Sequence, residues 1–95
     1  MPKYRWSAFF QTYLELALRT RKVTTLIVAG GSTDVGIAST AFAARDLDFN
    51  LVIVSDACIS AEQDNHDQFI LRIFPRMARV RTAAEIIYML KAGAT

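Results

Sequence analysis

The sequence predicts an α/β fold in which a parallel sheet of about three strands lies between two layers of helices. Two apolar runs, "TTLIVAGG" and "NLVIVSDA", are rich in aliphatic and β-branched residues and lack strict alternation, which is typical of strands buried on both faces. Segments with helical spacing precede, separate and follow these runs. Right-handed crossovers make the resulting order, αβαβαβα, a three-layer domain with one parallel sheet.

The first two helices follow from apolar spacing. Residues Phe10 to Lys22 are predicted to form an amphipathic helix, with Thr12 as its cap and basic residues near its end. After the first strand, "DVGIASTAFAARDLD" has a face of small residues that suits close packing against a sheet. This segment is the predicted crossover to the second strand.

The second half of the chain supplies the remaining elements. "SAEQDNHDQFILRIF" is predicted to be a helix capped by Ser60 and ended by Pro75, and "MARVR" a short third strand. "TAAEIIYMLKAG" begins with Thr82 and has Glu85 three residues later, the pattern of a capping box. The chain therefore ends in a helix.

Composition narrows the class of protein. With 95 residues and 53% hydrophobic content, residues 1–95 suit a single domain. Eleven basic and nine acidic residues give a net charge of only +2 and are scattered, so nucleic acid is not an expected partner. Cys58 is the only cysteine, which excludes an intrachain disulfide and favours the cytoplasm. No apolar run is long enough for a membrane span.

The turn "GGSTDVG" lies at the carboxyl end of the first strand, where ligands of parallel sheets bind. A dinucleotide site is one interpretation, because Asp56 follows Gly36 by 20 residues, but the G-x-G-x-x-G fingerprint is absent and Asp34 would repel a pyrophosphate. A second interpretation is an anion or oxyanion site built from backbone amides. A third is purely structural, with Ser32 to Asp34 capping the helix. The residues alone leave all three open.

The chain resembles the C-terminal half of the isochorismatase-like hydrolase superfamily over nearly its whole length. The motifs that carry the resemblance are K-x-x-x-S-A-F at the start, G-x-x-T-D-x-x-x-x-x-T-A at the turn, and S-D-A at the end of the second strand. The resemblance implies a Rossmann-like, three-layer fold whose complete sheet has six strands. This chain would supply about the last three of them.

The resemblance also implies a catalytic set of an aspartate, a lysine and a cysteine. The lysine corresponds to Lys3, whereas Gly36 occupies the cysteine position and no residue corresponds to the aspartate. Because glycine has no nucleophile, covalent amidase chemistry is excluded. Isochorismatases resemble this chain in having glycine there, and they hydrolyse a vinyl ether by protonating it.

The implied substrate-binding or oxyanion-binding residues surround the same turn, and the family's cis peptide falls between Gly31 and Ser32. They are Gly31, Ser32, Thr33, Val35 and Gly36. Asp34 and Asp56 are not assigned as catalytic acids. Cys58 is predicted to pack as a small apolar side chain and His66 to be solvated. Trp6, Phe9, Phe10 and Tyr13 form an aromatic group that either borders the pocket, as the resemblance implies, or packs against a neighbour.

Partners follow from the strands that the resemblance implies are missing. The strand that would pair with "TTLIVAGG" is absent, which predicts a homo-oligomer, association with a complementary half, or a chain that is a fragment of a longer reading frame. The expected ligand is a small molecule, and the residues call for no cofactor or metal. Two functions stay open: a truncated isochorismatase-type hydrolase that needs missing residues to act, or a non-catalytic binding or assembly protein of the same fold.

Overall fold

The computed structural model describes residues 6–93. Its helices and strands follow the predicted order. They are α1 (Leu14–Thr20), β1 (Thr25–Gly31), a π-helical turn (Thr33–Ile37) that continues into α2 (Ala38–Asp46), β2 (Asn50–Ile59), α3 (Gln63–Gln68), a second π-helical turn (Phe69–Ile73), a 3-10 turn (Phe74–Arg76), β3 (Arg79–Arg81) and α4 (Ala83–Gly93). The described part of the chain thus has the predicted α/β architecture.

The sheet has the order β1-β2-β3, and both strand pairs are parallel. The central strand, β2, is buried from Leu51 to Val54, as its unbroken apolar run predicts. Leu51 and Ile53 face the main core, whereas Val52 and Val54 face α4. The three-stranded parallel sheet is therefore confirmed, with β1 at one edge.

The pairing of β1 with β2 is interrupted near the carboxyl ends of the strands. Val28 pairs with Ile53, and the next pair is Gly30 with Cys58, so residues 54–57 of β2 bulge away from β1. In this bulge Asp56 accepts a hydrogen bond of 2.8 Å from the Ala83 N–H at the start of α4. The bulge therefore places Asp56 of β2 against the start of α4, and β2 then pairs with the end of β1 again at Cys58.

The larger core lies on the α2 face of the sheet. Ala41 and Ala44 of α2 are fully buried, which confirms that the small-residue face packs closely against the strands. Phe49 is also fully buried, and the Phe9 ring stacks on it with centroids 5.9 Å apart. Arg19 of α1 also contacts Phe49. Its guanidinium carbon lies 4.1 Å from the centroid of the Phe49 ring, which is a cation–π arrangement.

Two helix predictions need correction at their ends. The first helix begins at Leu14 rather than Phe10, because Gln11 has a positive φ of 52° that breaks the helical path; Thr12 still accepts the Leu14 N–H at 3.3 Å. Ser60 is not the cap of α3, whose N-cap is Glu62. The Ser60 hydroxyl instead donates a hydrogen bond of 2.7 Å to Asp34 in the turn after β1.

Candidate functional site

The candidate site lies at the carboxyl edge of the sheet, where the turn after β1 meets the end of β2. Gly36 and Thr33 are buried in this turn, whereas Ser32 and Asp34 are partly exposed. The first turn of α3 packs against the same segment, so residues distant in sequence meet at one edge. Parallel strands bring their carboxyl ends together in this way.

Two glycines allow the end of β1 to approach β2 closely. Gly30 has a φ of +122°, a conformation that side chains bearing a Cβ rarely adopt. A Cβ on Gly31 would lie 3.2 Å from Cγ2 of Ile59 and 3.6 Å from its carbonyl oxygen. Gly30 is therefore required by its backbone conformation, and a side chain at position 31 would have to displace the exposed Ile59 side chain by a few tenths of an ångström.

The peptide bond between Gly31 and Ser32 is cis, as the resemblance predicts. The Ser32 carbonyl accepts hydrogen bonds from the Val35 N–H at 3.3 Å and the Ile37 N–H at 2.8 Å. Val35, one of the predicted oxyanion donors, thus directs its N–H into the turn itself. Among residues 6–93, neither the Ser32 N–H nor the Thr33 N–H makes a backbone hydrogen bond; Ser32 is partly exposed, whereas Thr33 is fully buried.

Asp34 is the centre of a polar network that joins the two strand ends. Its Oδ1 accepts hydrogen bonds from the Ser32 hydroxyl at 2.5 Å and the Ser60 hydroxyl at 2.7 Å, and its Oδ2 accepts one from the Asn65 amide at 3.0 Å. These donors, Ser32 first, stabilise the carboxylate and lower the pKa of Asp34 to about 2. The side chain is therefore ionised at neutral pH.

His66 belongs to the site, which corrects the prediction that it is solvated. It is half-buried, and its Nδ1 lies 2.7 Å from the hydroxyl oxygen of the fully buried Thr33. Sequence inspection also missed Ser60 and Asn65 as members of the Asp34 network. Their position soon after β2 could have identified them. The carboxyl ends of β1 and β2 lie at the same edge of the sheet, so residues that follow β2 come close to the turn after β1.

The remaining candidates play structural parts. Cys58 is buried at the point where β2 rejoins β1, which confirms the prediction that it packs as a small apolar side chain, and burial raises the pKa of its thiol. Phe9 packs on the core, whereas Trp6, Phe10 and Tyr13 are exposed. Lys3 lies outside the described residues, so its predicted role stays a prediction.

Residues 6–93 contain no group of three or more acidic, histidine or cysteine side chains arranged to hold a metal ion. In the same part of the chain, no helix combines the length and the apolarity that a membrane crossing requires.

Comparison with known proteins identifies relatives of this chain. An isochorismatase domain model matches residues 1–85. The uncharacterized isochorismatase family protein YecD of Escherichia coli O157:H7 is 48% identical over 85 residues, which make up 90% of this chain and 45% of YecD. A probable inactive nicotinamidase of Arabidopsis thaliana is 41% identical over 70 residues, or 73% of this chain and 36% of that protein.

Solved structures give the same result. An isochorismatase family protein from Burkholderia thailandensis matches with a TM-score of 0.91 and 36% identity, covering 94% of this chain and 47% of that one. Nicotinamidase PncA from Bacillus subtilis matches with a TM-score of 0.77 and 38% identity, covering 85% of this chain and 45% of that one. The chain spans about half the length of the curated relatives YecD and YwoC. By sequence and by fold, the chain belongs to the isochorismatase family.

Proposed function

We propose that this chain supplies one part of an isochorismatase-type site, a turn that binds a small molecule through its backbone and has no covalent nucleophile of its own. The observation that carries the proposal is Gly36. This residue is buried in the turn after β1, at the position where the resembling amidases have a cysteine. A glycine cannot attack a carbonyl, so the chemistry left to the turn is binding and charge stabilisation.

Cys58 does not replace the missing nucleophile. Its thiol is buried against the end of β1, and desolvation raises its pKa, which favours the protonated thiol at neutral pH. A catalytic cysteine needs the opposite, an accessible thiolate with a lowered pKa. Cys58 therefore supports packing of the strand end and not catalysis.

Hydrolysis of a vinyl ether requires an acid that protonates the substrate carbon. Asp34 is ionised at neutral pH and accepts three side-chain hydrogen bonds, so it has no proton to donate. Asp56 holds the start of α4. These contacts support the proposal that hydrolysis depends on an acid from a segment outside the described residues, with Lys3 as a further candidate in the chain.

The binding role of the turn rests on the backbone donors near Gly36. The Ser32 N–H makes no backbone hydrogen bond among residues 6–93 and belongs to a partly exposed residue, whereas the Thr33 N–H is equally unpaired but buried. Oriented amides of this kind stabilise carboxylates and developing oxyanions. The predicted Gly31, Val35 and Gly36 then shape the turn around the ligand.

The alternative function is a non-catalytic protein that keeps the binding turn and has lost the reaction. The similarity to a probable inactive nicotinamidase of Arabidopsis thaliana favours it. Under either function, we propose a small-molecule ligand, a cytoplasmic location, and association with itself or with a complementary half. We propose no partner among nucleic acids or membranes.

Amide chemical shifts of the ¹⁵N-labelled 95-residue chain, titrated with isochorismate, test the binding role. The expected result is saturable shifts centred on Ser32 and Thr33. The chain contains a matched internal control, an open cleft of about 370 Å³ at the opposite end of the sheet that is lined by Arg45 and Arg79. Shifts centred on that cleft, or no saturable shift, would reject the proposed binding turn.

A further inference from the structure

The cleft of about 370 Å³ lies at the amino edge of the sheet, where all three strands begin. Thr25 is the first residue of β1, Asn50 of β2 and Arg79 of β3, and Arg45 lines the cleft from the last turn of α2. The remaining lining residues are apolar: Leu51, Val52, Met77 and Ala78. The volume is within the range of small-molecule sites.

The charges on the wall of this cleft are both positive. Arg45 and Arg79 line it, and no carboxylate does. Among residues 6–93, neither guanidinium makes an ion pair or a side-chain hydrogen bond. Because a guanidinium stays protonated at any physiological pH, the cleft has two permanent positive charges whose N–H donors no described acceptor uses.

Capping of α2 does not account for Arg45. An arginine in the last turn of a helix commonly donates to the free carbonyls there. In α2, however, the carbonyls of Ala43, Ala44 and Arg45 each accept a backbone N–H at 3.0 Å. The Leu47 carbonyl accepts a hydrogen bond from the Arg19 guanidinium. The Arg45 side chain therefore has its donors free for a group outside the helix end.

Thr25 and Asn50 place neutral donors beside these charges. The two residues are register partners in adjacent parallel strands, so they lie side by side. Arg79 is the register partner of Val52, two residues further along β2 than Asn50. Alternate residues of a strand point to the same face of the sheet, so Asn50 and Arg79 share a face. A hydroxyl, an amide and two guanidinium groups thus line one cleft.

We propose that this cleft is a second binding site of the chain, which takes a small phosphate monoester. A phosphate monoester carries nearly two negative charges at neutral pH and three terminal oxygens that point in different directions. The donors come from α2 and from all three strands, so they can approach these oxygens from several sides. A carboxylate has one charge and its acceptor sites in one plane. The apolar lining residues then contact the organic part of the ester.

The charge around the cleft favours the same class of ligand. Arg21 and Lys22 lie just before β1, and Arg76 lies shortly before β3, so further basic residues surround this edge. Asp46 and Asp48, which follow Arg45 in the chain, do not line the cleft. A local excess of one sign of charge attracts ligands of the opposite sign and speeds their binding.

This inference goes beyond the proposed function and does not depend on it. The cleft and the turn after β1 lie at opposite edges of the sheet, and isochorismate, the ligand tested at the turn, carries no phosphate. Binding of phosphate at the cleft leaves the role of Ser32 and Thr33 to the isochorismate titration. Failure of either proposal therefore leaves the other standing.

The experiment titrates the ¹⁵N-labelled 95-residue chain with inorganic phosphate and with phenyl phosphate, at an ionic strength held constant with NaCl. Saturable amide shifts are expected at Asn50, Ala78 and Arg79. Phenyl phosphate is expected to bind more tightly, because its ring can contact the apolar lining of the cleft. Acetate, the planar carboxylate, is expected to bind about tenfold more weakly than phosphate.

Arg45→Gln and Arg79→Gln should each weaken phosphate binding about tenfold, because each removes one charge-assisted donor set. Both residues are exposed, so thermal melts of these variants should match that of the parent. Arg72→Gln is the matched control: it removes the same charge at a separate surface site beside Asp64 and Asp67, and it should change affinity less than about twofold. If a glutamine variant does not fold, lysine at the same position keeps the charge but loses the bidentate fork, and it should still weaken binding.

Several results would overturn the inference. Shifts that never saturate, or that NaCl alone reproduces, would show only a general attraction of anions. Shifts centred on Ser32 and Thr33 would place phosphate at the turn instead. An equal loss of affinity in Arg72→Gln would reject the two arginines of the cleft as its ligands. Acetate that binds as tightly as phosphate would reject the phosphate group, and phenyl phosphate that binds no more tightly than inorganic phosphate would reject the ester.

Discussion

Asp34 shows how one side chain fixes the candidate site. It lies in the first turn of the helical segment after β1, and by sequence it is an ordinary acidic residue at a helix start. In the structure it binds Ser60 and Asn65, which lie 26 and 31 residues away along the chain. The carboxylate thereby holds the end of β2 and the start of α3 against the binding turn.

Replacing Asp34 by Asn should lower the free energy of unfolding in a pH-dependent manner. The folded-state pKa of about 2 lies below the ordinary value of 3.8, so the carboxylate stabilises the fold fully above about pH 4 and loses this effect as the pH falls through 2. Urea unfolding at pH 6 and pH 3 should show a larger deficit for Asp34→Asn at pH 6. Ser60→Ala, which removes one donor, should give a smaller deficit with the same trend. An Asp34→Asn deficit equal at both pH values would contradict the assignment.

At the residue level, prediction succeeded where local pattern or resemblance sufficed. The position of Gly36 in the turn and the cis bond before Ser32 followed from the motif that carries the resemblance. The contact between His66 and Thr33 did not, because it joins residues 33 positions apart. A hydrogen bond of that kind depends on how α3 packs against the turn, which no local pattern encodes.

Among the helices and strands, α4 is the one whose first residues the sequence predicts best. The Thr82 N–H donates to Glu85 Oε1 at 2.8 Å, and the Glu85 N–H donates to Thr82 Oγ1 at 3.1 Å, which confirms the predicted capping box. The bonds from Thr82 lower the pKa of Glu85. Asp56 satisfies a further N–H of the same helix end, that of Ala83.

Thr82→Ala should destabilise the chain by about 1 kcal/mol, because it removes the side-chain oxygen that accepts the Glu85 N–H. Thr82→Ser keeps that oxygen and should stay within a few tenths of a kcal/mol of the parent. Urea unfolding of both variants at neutral pH provides the measurement. Equal stability of the Ala and Ser variants would mean that the box does not stabilise α4.

Strands were easier to predict than the third helix. The apolar runs predicted β1 and β2 as strands, because their β-branched residues are bounded by turn-forming residues, but the prediction that both are buried on both faces is wrong for β1, in which no residue is buried. The segment predicted as one helix from Ser60 is instead α3, a π-helical turn and a 3-10 turn. Its irregular path buries Phe74 and leaves Leu71 exposed, a result of packing against the core that helical spacing cannot foresee.

At the scale of the whole molecule, residues 6–93 combine the candidate binding turn with a sheet edge that no described strand pairs. The turn at Gly36 offers backbone donors but no nucleophile, and the acids beside it are occupied by structural hydrogen bonds. Among the described strands, β1 lies at the edge of the sheet, and its carboxyl end leads into this turn.

The most direct test of this account is the release of pyruvate from isochorismate by the purified 95-residue chain alone. The account predicts a rate equal to that of the uncatalysed reaction, because the described residues supply neither a nucleophile at position 36 nor an acid free to protonate the substrate. Multiple turnovers by the chain alone would contradict it, and would show that the chain contains a complete catalytic site.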